Sequence, residues 1–380
     1  MVAPTRREEQ ASPPQIKEKI MFNEPKINEK IIDSHLHIEA WHNEESGSFV
    51  RGFEKYREGM NLDAINICSL NNHARGVANN IMIALYKLVN KNTFAHGALD
   101  HIVKPMAKNP DGMDLVTQYQ ELMEIGFDGI KLIEGKPTIL KPLGGTLINP
   151  YFDELFAEME KDGTHIFFHV NDPDEFWIDE LAPSWAKENG WFYGDGTFPN
   201  FWTVTKEIEA ILDKYPSLNV TFAHFFFYSK YPEKLEEMFK KYENMAVDLT
   251  PGTEMYVAFN DRHDYYMDFF RKYSSRILVG TDGTFPWEAR DYAWCIDRIY
   301  NFIATDKTLK SFCDLNLRGL NLEGKDKENI LYANFERRVG KTTPKEINKE
   351  ALLAYFEKYK ELLDDEEYRE LSPLVDKYLR

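Results

Sequence analysis

The chain has 380 residues, 43% of them apolar and 29% charged, a balance typical of a globular protein with room for one large domain or two ordinary ones. Its 63 acidic and 46 basic residues give a formal net charge of −17, which argues against a nucleic-acid partner because phosphate binding needs a basic face. The sequence contains no stretch of about 18 consecutive apolar residues, so a membrane span is not expected either.

The first 30 residues and the cysteines bear on the compartment. Residues 1–30 are polar, contain several prolines and lack the apolar core of a secretory signal, so we predict a flexible N-terminal extension. Cys68, Cys295 and Cys313 are odd in number and far apart, which fits reduced thiols better than a disulfide framework or a Cys-x-x-Cys metal pair. Together these features predict a cytoplasmic protein.

Short apolar, β-rich runs alternate with amphipathic segments from residue 31 onward. The runs are IIDSHLHI at 31, DAINICSL at 63, FAHGALD at 94, DGIKLI at 128, HIFFHV at 165, NVTFAH at 219, MAVDLT at 245 and ILVGTD at 277. Helical patterns lie between them, from GVANNIMIALYKLVN at 76 to WEARDYAWCIDRIYNFI at 287. Strands that alternate with helices predict parallel strands joined by right-handed crossovers. Eight such units fit an α/β fold of the (β/α)8 TIM-barrel type, for which about 250 residues is typical.

An open doubly wound sheet is the competing fold, but no Gly-x-Gly-x-x-Gly phosphate loop follows the first run. We therefore predict a TIM barrel over residues 31–340. The acidic, helical pattern of residues 341–380 predicts a C-terminal helical appendage that packs on the barrel or supports a homo-oligomer such as a dimer. Residues 134–149 and 171–200 form long insertions after the fourth and fifth runs, where barrel enzymes keep their active sites, so we predict binding loops or lids there.

Polar side chains stand near the carboxyl ends of the predicted strands. They are His35, His37, Lys131, His169, His224 and Asp282. Residues two apart in a strand share a face, so His35 and His37 point to one side together. If that side is the barrel interior, three imidazoles and the Asp282 carboxylate converge as a ligand set for Zn²⁺ or a similar divalent ion. Taken singly, each is more often an ordinary hydrogen-bonding residue, and Asp282 could cap a helix. Burying all of them without a metal would leave polar atoms in need of partners, which favours the metal site.

Several of these motifs resemble a known family when they are taken in order. The motifs are IIDSHLHI, GFDGIKL, HIFFHV, NVTFAH, ILVGTD and the closing segment ILYANFERRVG at 330–340. They are similar to those of the amidohydrolase superfamily, and more narrowly to the amidohydrolase-related (amidohydrolase 2) metal-dependent hydrolases, which also include decarboxylases and lactonases. Two departures concern loops that face the substrate: FFFYS follows His224 where the family often has a small Gly-containing turn, and Pro286 comes four residues after Asp282 rather than two or three.

The resemblance implies roles for the residues that match its motifs. His35, His37, His169 and Asp282 would bind the metal, zinc or another divalent ion such as manganese, and Asp282 would also exchange a proton with the metal-bound water. His224 would be a catalytic or substrate-polarising histidine that donates a hydrogen bond to the substrate oxygen. Lys131 would either bridge two metals as a carbamate, or pair with a neighbouring carboxylate or bind a substrate carboxylate beside one metal. We expect one ion.

Three functions are compatible with such a site. The first is hydrolysis of a C–O or C–N bond in a small molecule such as a lactone, ester or amide, through a metal-activated water. The second is metal-assisted, non-oxidative decarboxylation of an aromatic or unsaturated acid, and the third is ligand or metal binding without turnover. Arg75, Lys131, Trp177 and Trp191 are candidate substrate-binding residues, although the two tryptophans could equally pack the long loop.

Overall fold

The computed structural model describes residues 27, 29–38, 62–71, 76–101, 114–252, 254–285, 289–310 and 315–380. The predicted N-terminal extension lies mostly outside these ranges, and so does Arg75. In the ranges that are described, no helix is both long and apolar enough to cross a membrane.

Each of the eight predicted runs contains a strand, but the eighth is shortened to its first two residues, and a further short strand directly follows the predicted run. The barrel strands are β1 Ile32–Ile38, β2 Ala64–Cys68, β3 Thr93–Gly97, β4 Gly129–Gly135, β5 His165–Val170, β6 Val220–Phe222, β7 Met245–Asp248, β8 Ile277–Leu278 and β9 Gly283–Phe285. Neighbours in sequence pair in parallel, and β9 pairs with β1. Because the chain runs directly from β8, on β7, to β9, on β1, this one segment closes the sheet into the predicted (β/α)8 barrel.

Helices follow the strands and cover the outside of the barrel. They are α1 Gly76–Val89, α2 Leu115–Ile125, α3 Pro137–Leu140, α4 Pro150–Asp162, α5 Ser184–Glu188, α6 Phe201–Lys214, α7 Pro232–Lys241, α8 Met255–Asp261, α9 His263–Lys272, α10 Ala289–Ala304, α11 Gly324–Glu328, α12 Asn334–Val339, α13 Lys349–Tyr359 and α14 Asp365–Leu379. A short antiparallel pair, β10 Thr308–Lys310 and β11 Asn316–Arg318, lies between α10 and α11. With helices outside and side chains inside, every residue of β1 to β7 is buried, which explains why these runs are rich in apolar residues on both faces and why their polar side chains lie in the interior.

Local sequence sets several helix ends. Asp114 caps α2, its carboxylate accepting a hydrogen bond from the Thr117 amide at 2.6 Å, and α2 ends at Gly126, whose φ of 109° favours glycine. In the C-terminal extension, Asp364 and Glu367 form a reciprocal capping box at the start of α14. The extension packs on the barrel helices, since the Tyr359 hydroxyl of α13 donates to Glu121 of α2 at 2.6 Å.

A polar chain crosses the barrel interior below the mouth. His96 Nδ1–H donates to Asn66 Oδ1 at 2.7 Å, His165 Nδ1–H donates to His96 Nε2 at 3.0 Å, and the Thr221 hydroxyl donates to His165 Nε2 at 2.8 Å. Each donor in this chain meets an acceptor only if both imidazoles are neutral. Burial accordingly lowers the pKa of His96 and of His165 well below the ordinary value of 6.5. Phe335 of α12 packs against both rings from beneath.

The insertion after β5 is ordered by a small aromatic core of its own. Phe176, Ala186 and Tyr193 are buried together, with Trp177 and Trp191 packed against them. The Trp177 indole donates to the Pro199 carbonyl at 3.0 Å. Trp177 therefore packs within the loop. Such packing was the alternative to a substrate-binding role for this residue.

Candidate metal centre

Strand β1 places His35 and His37 side by side, with ring centroids 5.0 Å apart. The Nδ1 atom of each ring already has a hydrogen-bond partner within the protein. His37 Nδ1–H donates to the Cys68 carbonyl at 2.7 Å, and His35 Nδ1–H donates to Asp248 Oδ2 at 2.7 Å. Since a carbonyl oxygen only accepts, and the Asp248 carboxylate accepts likewise, both neutral rings carry their proton on Nδ1. The Nε2 atom of each ring is then an acceptor: that of His37 faces the candidate centre, and that of His35 accepts from Lys131 in this structure.

Asp282 stands between β8 and β9, at the break in the eighth strand. Its φ of 54° lies in the left-handed region, which aspartate tolerates better than most residues. Its amide donates to the His35 carbonyl at 2.9 Å, so the residue that interrupts the strand is held against β1. The Oδ1 atom of Asp282 lies 3.1 Å from His37 Nε2 and 3.9 Å from His35 Nε2.

This set of atoms has the chemistry of a cation site. Each of the three residues offers one nitrogen or oxygen, and these atoms lie within 4.8 Å of one another. When His37 is neutral with its proton on Nδ1, His37 Nε2 and Asp282 Oδ1 are two acceptors facing each other at 3.1 Å. A bound cation resolves that conflict, and two imidazole nitrogens with a carboxylate are suitable ligands for zinc and related divalent ions. The residues therefore fit the metal that the sequence analysis expected.

Electrostatics keep two of the candidate ligands, His35 and Asp282, in the protonation states that metal binding needs. Burial, followed by the charge of Lys131, lowers the pKa of His35 well below 6.5. For Asp282, burial alone would raise the pKa, but the close approach of His37 and of the His224 and His35 imidazoles favours the ionised carboxylate and holds the pKa well below 3.8. A neutral imidazole and an ionised carboxylate are the ligand forms.

Lys131 on β4 contacts one of these ligands directly. Its Nζ donates to His35 Nε2 at 2.8 Å, and the residue is 2% exposed. The two acidic residues near it on this segment, Glu134 and Asp128, have other partners: His101 Nε2 lies 2.5 Å from Glu134, and Lys87 pairs with Asp128. Pairing of Lys131 with Glu134 or Asp128 is therefore wrong, whereas its metal-bridging and substrate-binding roles stay predictions.

His169 and His224 form a second pair beside this group, with ring centroids 4.8 Å apart. His169 Nε2–H donates to the Asn171 carbonyl at 2.9 Å, which leaves Nδ1 as the acceptor. His224 Nδ1–H donates to the Thr250 carbonyl at 3.3 Å, which leaves Nε2 as the acceptor. The His224 ring is 6.3 Å from that of His35. The structure thus brings His35, His37 and Asp282 within ligand reach of one another and sets His169 and His224 alongside.

The state of His224 differs from the expected donor role. Burial lowers its pKa to about 4, so the ring is neutral at pH 7. A neutral ring whose proton is on Nδ1 presents an acceptor at Nε2. Donation of a hydrogen bond to a substrate oxygen therefore requires that His224 first take a proton, or that it change tautomer.

An unusual turn carries His224. The four residues His224 to Phe227 all have positive φ, between 53° and 59°, at a cost of about 1–2 kcal/mol each for residues with a Cβ. Aromatic burial offsets this cost: Phe225 packs against Phe259 and Phe270, and the Phe227 ring stacks on His224 with centroids 5.0 Å apart. The segment FFFYS, which departs from the family pattern, is thus the apolar anchor of the turn.

Sequence reasoning missed Asp248, the residue that links the two histidine pairs. Asp248 ends β7 and is 0% exposed. Its Oδ2 accepts from His35 Nδ1, and its Oδ1 accepts from the His224 amide at 2.9 Å and from the Thr250 hydroxyl. Carboxylates that hold the far nitrogen of a ligand histidine fix its tautomer and orientation. In the sequence, the indication of its role was that a single acidic residue ends the otherwise apolar run MAVD.

The loop after β5 is fastened to the barrel mouth by a charged cluster. Lys136 Nζ lies 2.6 and 2.7 Å from the two Asp172 oxygens and 4.3 Å from the centroid of the Trp191 ring. The Tyr193 hydroxyl donates to Asp172 at 2.5 Å, and Asp172 lies 3.5 Å from His169 Nε2. Trp191 is thus linked to His169 through Lys136 and Asp172. Its role toward a substrate stays a prediction, as do those of Trp177 and Arg75.

The chain matches no protein-family model and no curated protein. Among solved structures, a putative amidohydrolase from Staphylococcus aureus has a TM-score of 0.53 at 17% identity, covering 82% of this chain and 100% of that chain. An uncharacterized TIM-barrel protein from Bordetella bronchiseptica has a TM-score of 0.48 at 15% identity, with coverage of 82% and 100%. For 4-oxalomesaconate hydratase from Rhodopseudomonas palustris, the values are 0.49 and 14%, with coverage of 87% and 98%. The likeness to the putative amidohydrolase, at 17% identity, confirms the barrel fold that the sequence predicted.

Proposed function

We propose that this chain is a metal-dependent hydrolase of the amidohydrolase superfamily that acts on a C–O or C–N bond of a small molecule, such as a lactone, ester or amide. One divalent ion, zinc or manganese, would be held by His35, His37, His169 and Asp282. The observation that carries the proposal is the convergence of His35 Nε2, His37 Nε2 and Asp282 Oδ1, with both Nδ1 protons committed elsewhere.

The protein groups can then be assigned steps. A divalent ion, when bound, supplies a water of lowered pKa and polarises a substrate carbonyl. Asp282, ionised and about a third exposed at the mouth, accepts the proton of the attacking water and returns it to the leaving group. His224 Nε2 is available to accept a hydrogen bond or a proton within the site, and Asp248 keeps His35 and the His224 turn in place.

The runner-up is non-oxidative decarboxylation of an aromatic or unsaturated acid at the same site, and one observation favours it. Lys131 Nζ is buried beside His35, a ring that is neutral, while the nearby carboxylates Glu134 and Asp128 are paired with other groups. A buried ammonium next to a metal centre is suited to holding a substrate carboxylate.

The test is a metal analysis followed by an assay panel. We expect about one divalent ion per chain in the purified or metal-loaded protein, and turnover of lactones, esters or amides with Zn²⁺ or Mn²⁺. Asp282→Asn should lower kcat/KM by about 10²- to 10⁴-fold at saturating metal. Asp264→Asn, at an exposed position on α9, is the matched control and should change nothing.

Each alternative has its own outcome in the same panel. Release of CO₂ from aromatic or unsaturated acids, without ester or amide cleavage, would replace hydrolysis by decarboxylation. Stoichiometric metal binding without turnover of any substrate would favour the non-catalytic barrel. If no divalent ion can be loaded, the metal-centre proposal fails altogether.

A further inference from the structure

A second polar site lies at the same end of the barrel, in segments that follow β5, β6 and β7. It is a cavity of about 410 Å³, a volume within the range of small-molecule pockets. Its lining residues are Glu175, Lys230, Glu254, Val257, Ala258 and Asp261. None of these belongs to the candidate metal centre, and three of the six carry carboxylates against one ammonium.

Glu254 is the residue that distinguishes this cavity from an ordinary acidic surface. It is only 7% exposed, and neither carboxylate oxygen receives a hydrogen bond from another described residue. The carboxylate packs over Gly252, where a Cβ would lie 2.9 Å from both oxygens. A buried carboxylate without a partner is costly, so Glu254 needs either a proton or a cation.

The lysine in the cavity does not meet that need. Lys230 Nζ lies 3.0 Å from Asp174 Oδ1 and also pairs with Glu175 Oε1. Its one charge is therefore shared by two carboxylates, and Glu175 Oε2 is itself a buried oxygen without a hydrogen bond from the described residues. Both oxygens of Glu254 and the second oxygen of Glu175, on two residues that line the cavity, thus lack a hydrogen bond from any other described residue.

The lining also discriminates between kinds of cation. Ca²⁺ takes six to eight oxygen ligands and Mg²⁺ demands a near-octahedral set, whereas this cavity offers few unpaired oxygens and carries the Lys230 ammonium. Val257 and Ala258, on α8, add an apolar wall. We propose that the cavity binds an organic ammonium ion, its charged head held by the Glu254 and Glu175 carboxylates and its alkyl part covered by the apolar wall.

Burial raises the pKa of Glu254 to about 7; the charges of Glu175 and Asp174 act in the same direction, and the hydrogen bond from its own amide and the charge of Lys230 oppose them. Binding is therefore best measured at pH 8.5, where Glu254 is ionised and an alkylammonium, with a pKa near that of lysine at about 10.4, is still charged. The probe is butylammonium chloride, titrated into the full chain and followed by ligand-observed NMR. Butan-1-ol is the uncharged probe of similar size, and MgCl₂ is the inorganic one.

We expect butylammonium to bind the wild-type chain, and Glu254→Gln to weaken that binding at least tenfold. Glu237→Gln, at an exposed position on α7, should bind as the wild type does. Ala258→Leu, which fills the cavity and leaves the carboxylates unchanged, should weaken binding as well, and thermal unfolding of each variant checks its fold.

Other outcomes would overturn the inference. These are no butylammonium binding by the wild type, equal binding by the folded Glu254→Gln variant, equal binding of butan-1-ol, or Glu254-dependent binding of Mg²⁺ in place of butylammonium. Because the readout is binding, the result is independent of whether the metal centre is hydrolytic.

Discussion

The Asp248→Asn substitution tests whether Asp248 prepares His35 for metal binding by holding its proton on Nδ1. In the present arrangement, Asp248 Oδ1 accepts from the His224 amide and from Thr250, while Oδ2 accepts from His35 Nδ1 at 2.7 Å. An asparagine has one acceptor oxygen. If that oxygen keeps the several donors on the Oδ1 side, the amide NH₂ must face His35 Nδ1.

Two N–H groups cannot face each other, so the His35 proton must move to Nε2. That shift removes the lone pair that would bind the metal. Loss of the group that orients a ligand histidine typically costs 10- to 100-fold in metal affinity. The expected loss is therefore about 1.4 to 2.7 kcal/mol of binding free energy, at about 1.36 kcal/mol per factor of ten.

The assay is competition for Zn²⁺ with a chromophoric chelator, at a fixed pH near 7.5. Asp128→Asn is the matched control, because Asp128 is also buried and ion-paired, with Lys87, but lies at the amino end of β4 and away from the mouth. The control is expected to lose stability and to keep its metal affinity. An Asp248→Asn chain that folds and binds Zn²⁺ as tightly as the wild type would refute the tautomer argument.

Three further variants probe other parts of the structure. The Lys131→Met variant should still bind one ion per chain, measured by elemental analysis, because the substitution only removes a positive charge beside His35. A fall from two ions in the wild type to one in the variant would show instead that Lys131 bridges two metals. The pKa of His96 and of His165 is lowered on folding, so the unfolded chain binds more protons below about pH 6.5, and stability present above that pH is lost as the pH falls. His165→Gln should therefore make the free energy of urea unfolding depend less steeply on pH between pH 6 and 4.5, by up to about 1.4 kcal/mol per pH unit. An unchanged pH dependence would contradict the conclusion that both imidazoles of this hydrogen-bonded chain are neutral. Phe225→Ala should lower the unfolding free energy by about 3–5 kcal/mol, because the ring is fully buried against Phe259 and Phe270; a loss below about 1 kcal/mol would mean that these contacts do not hold the left-handed turn.

The sequence allowed the barrel to be predicted because each strand is an apolar run with its own turn and helix signals. The eighth strand was predicted as one run, ILVGTD, but only Ile277–Leu278 of that run form a strand. The run ends at Asp282 in a left-handed conformation, and β9 begins at the next residue. The left-handed φ of Asp282 goes with two contacts that this residue makes at the barrel mouth: its carboxylate lies beside the β1 histidines, and its amide donates to the His35 carbonyl. These contacts join residues that are more than two hundred positions apart in the sequence. Periodicity carries no information on such contacts.

The same limit separates the candidate ligands from the groups that orient them. Two-residue spacing and strand-end position were enough to select His35, His37 and Asp282. Which nitrogen of each ring is free depends on the Cys68 carbonyl and on Asp248, and those partners are set by the register of β1 against β2 and by the closure of the barrel through β7 and β8. The positions of the ligands are thus local properties of the sequence, whereas their protonation, on which metal binding depends, is a property of the closed barrel.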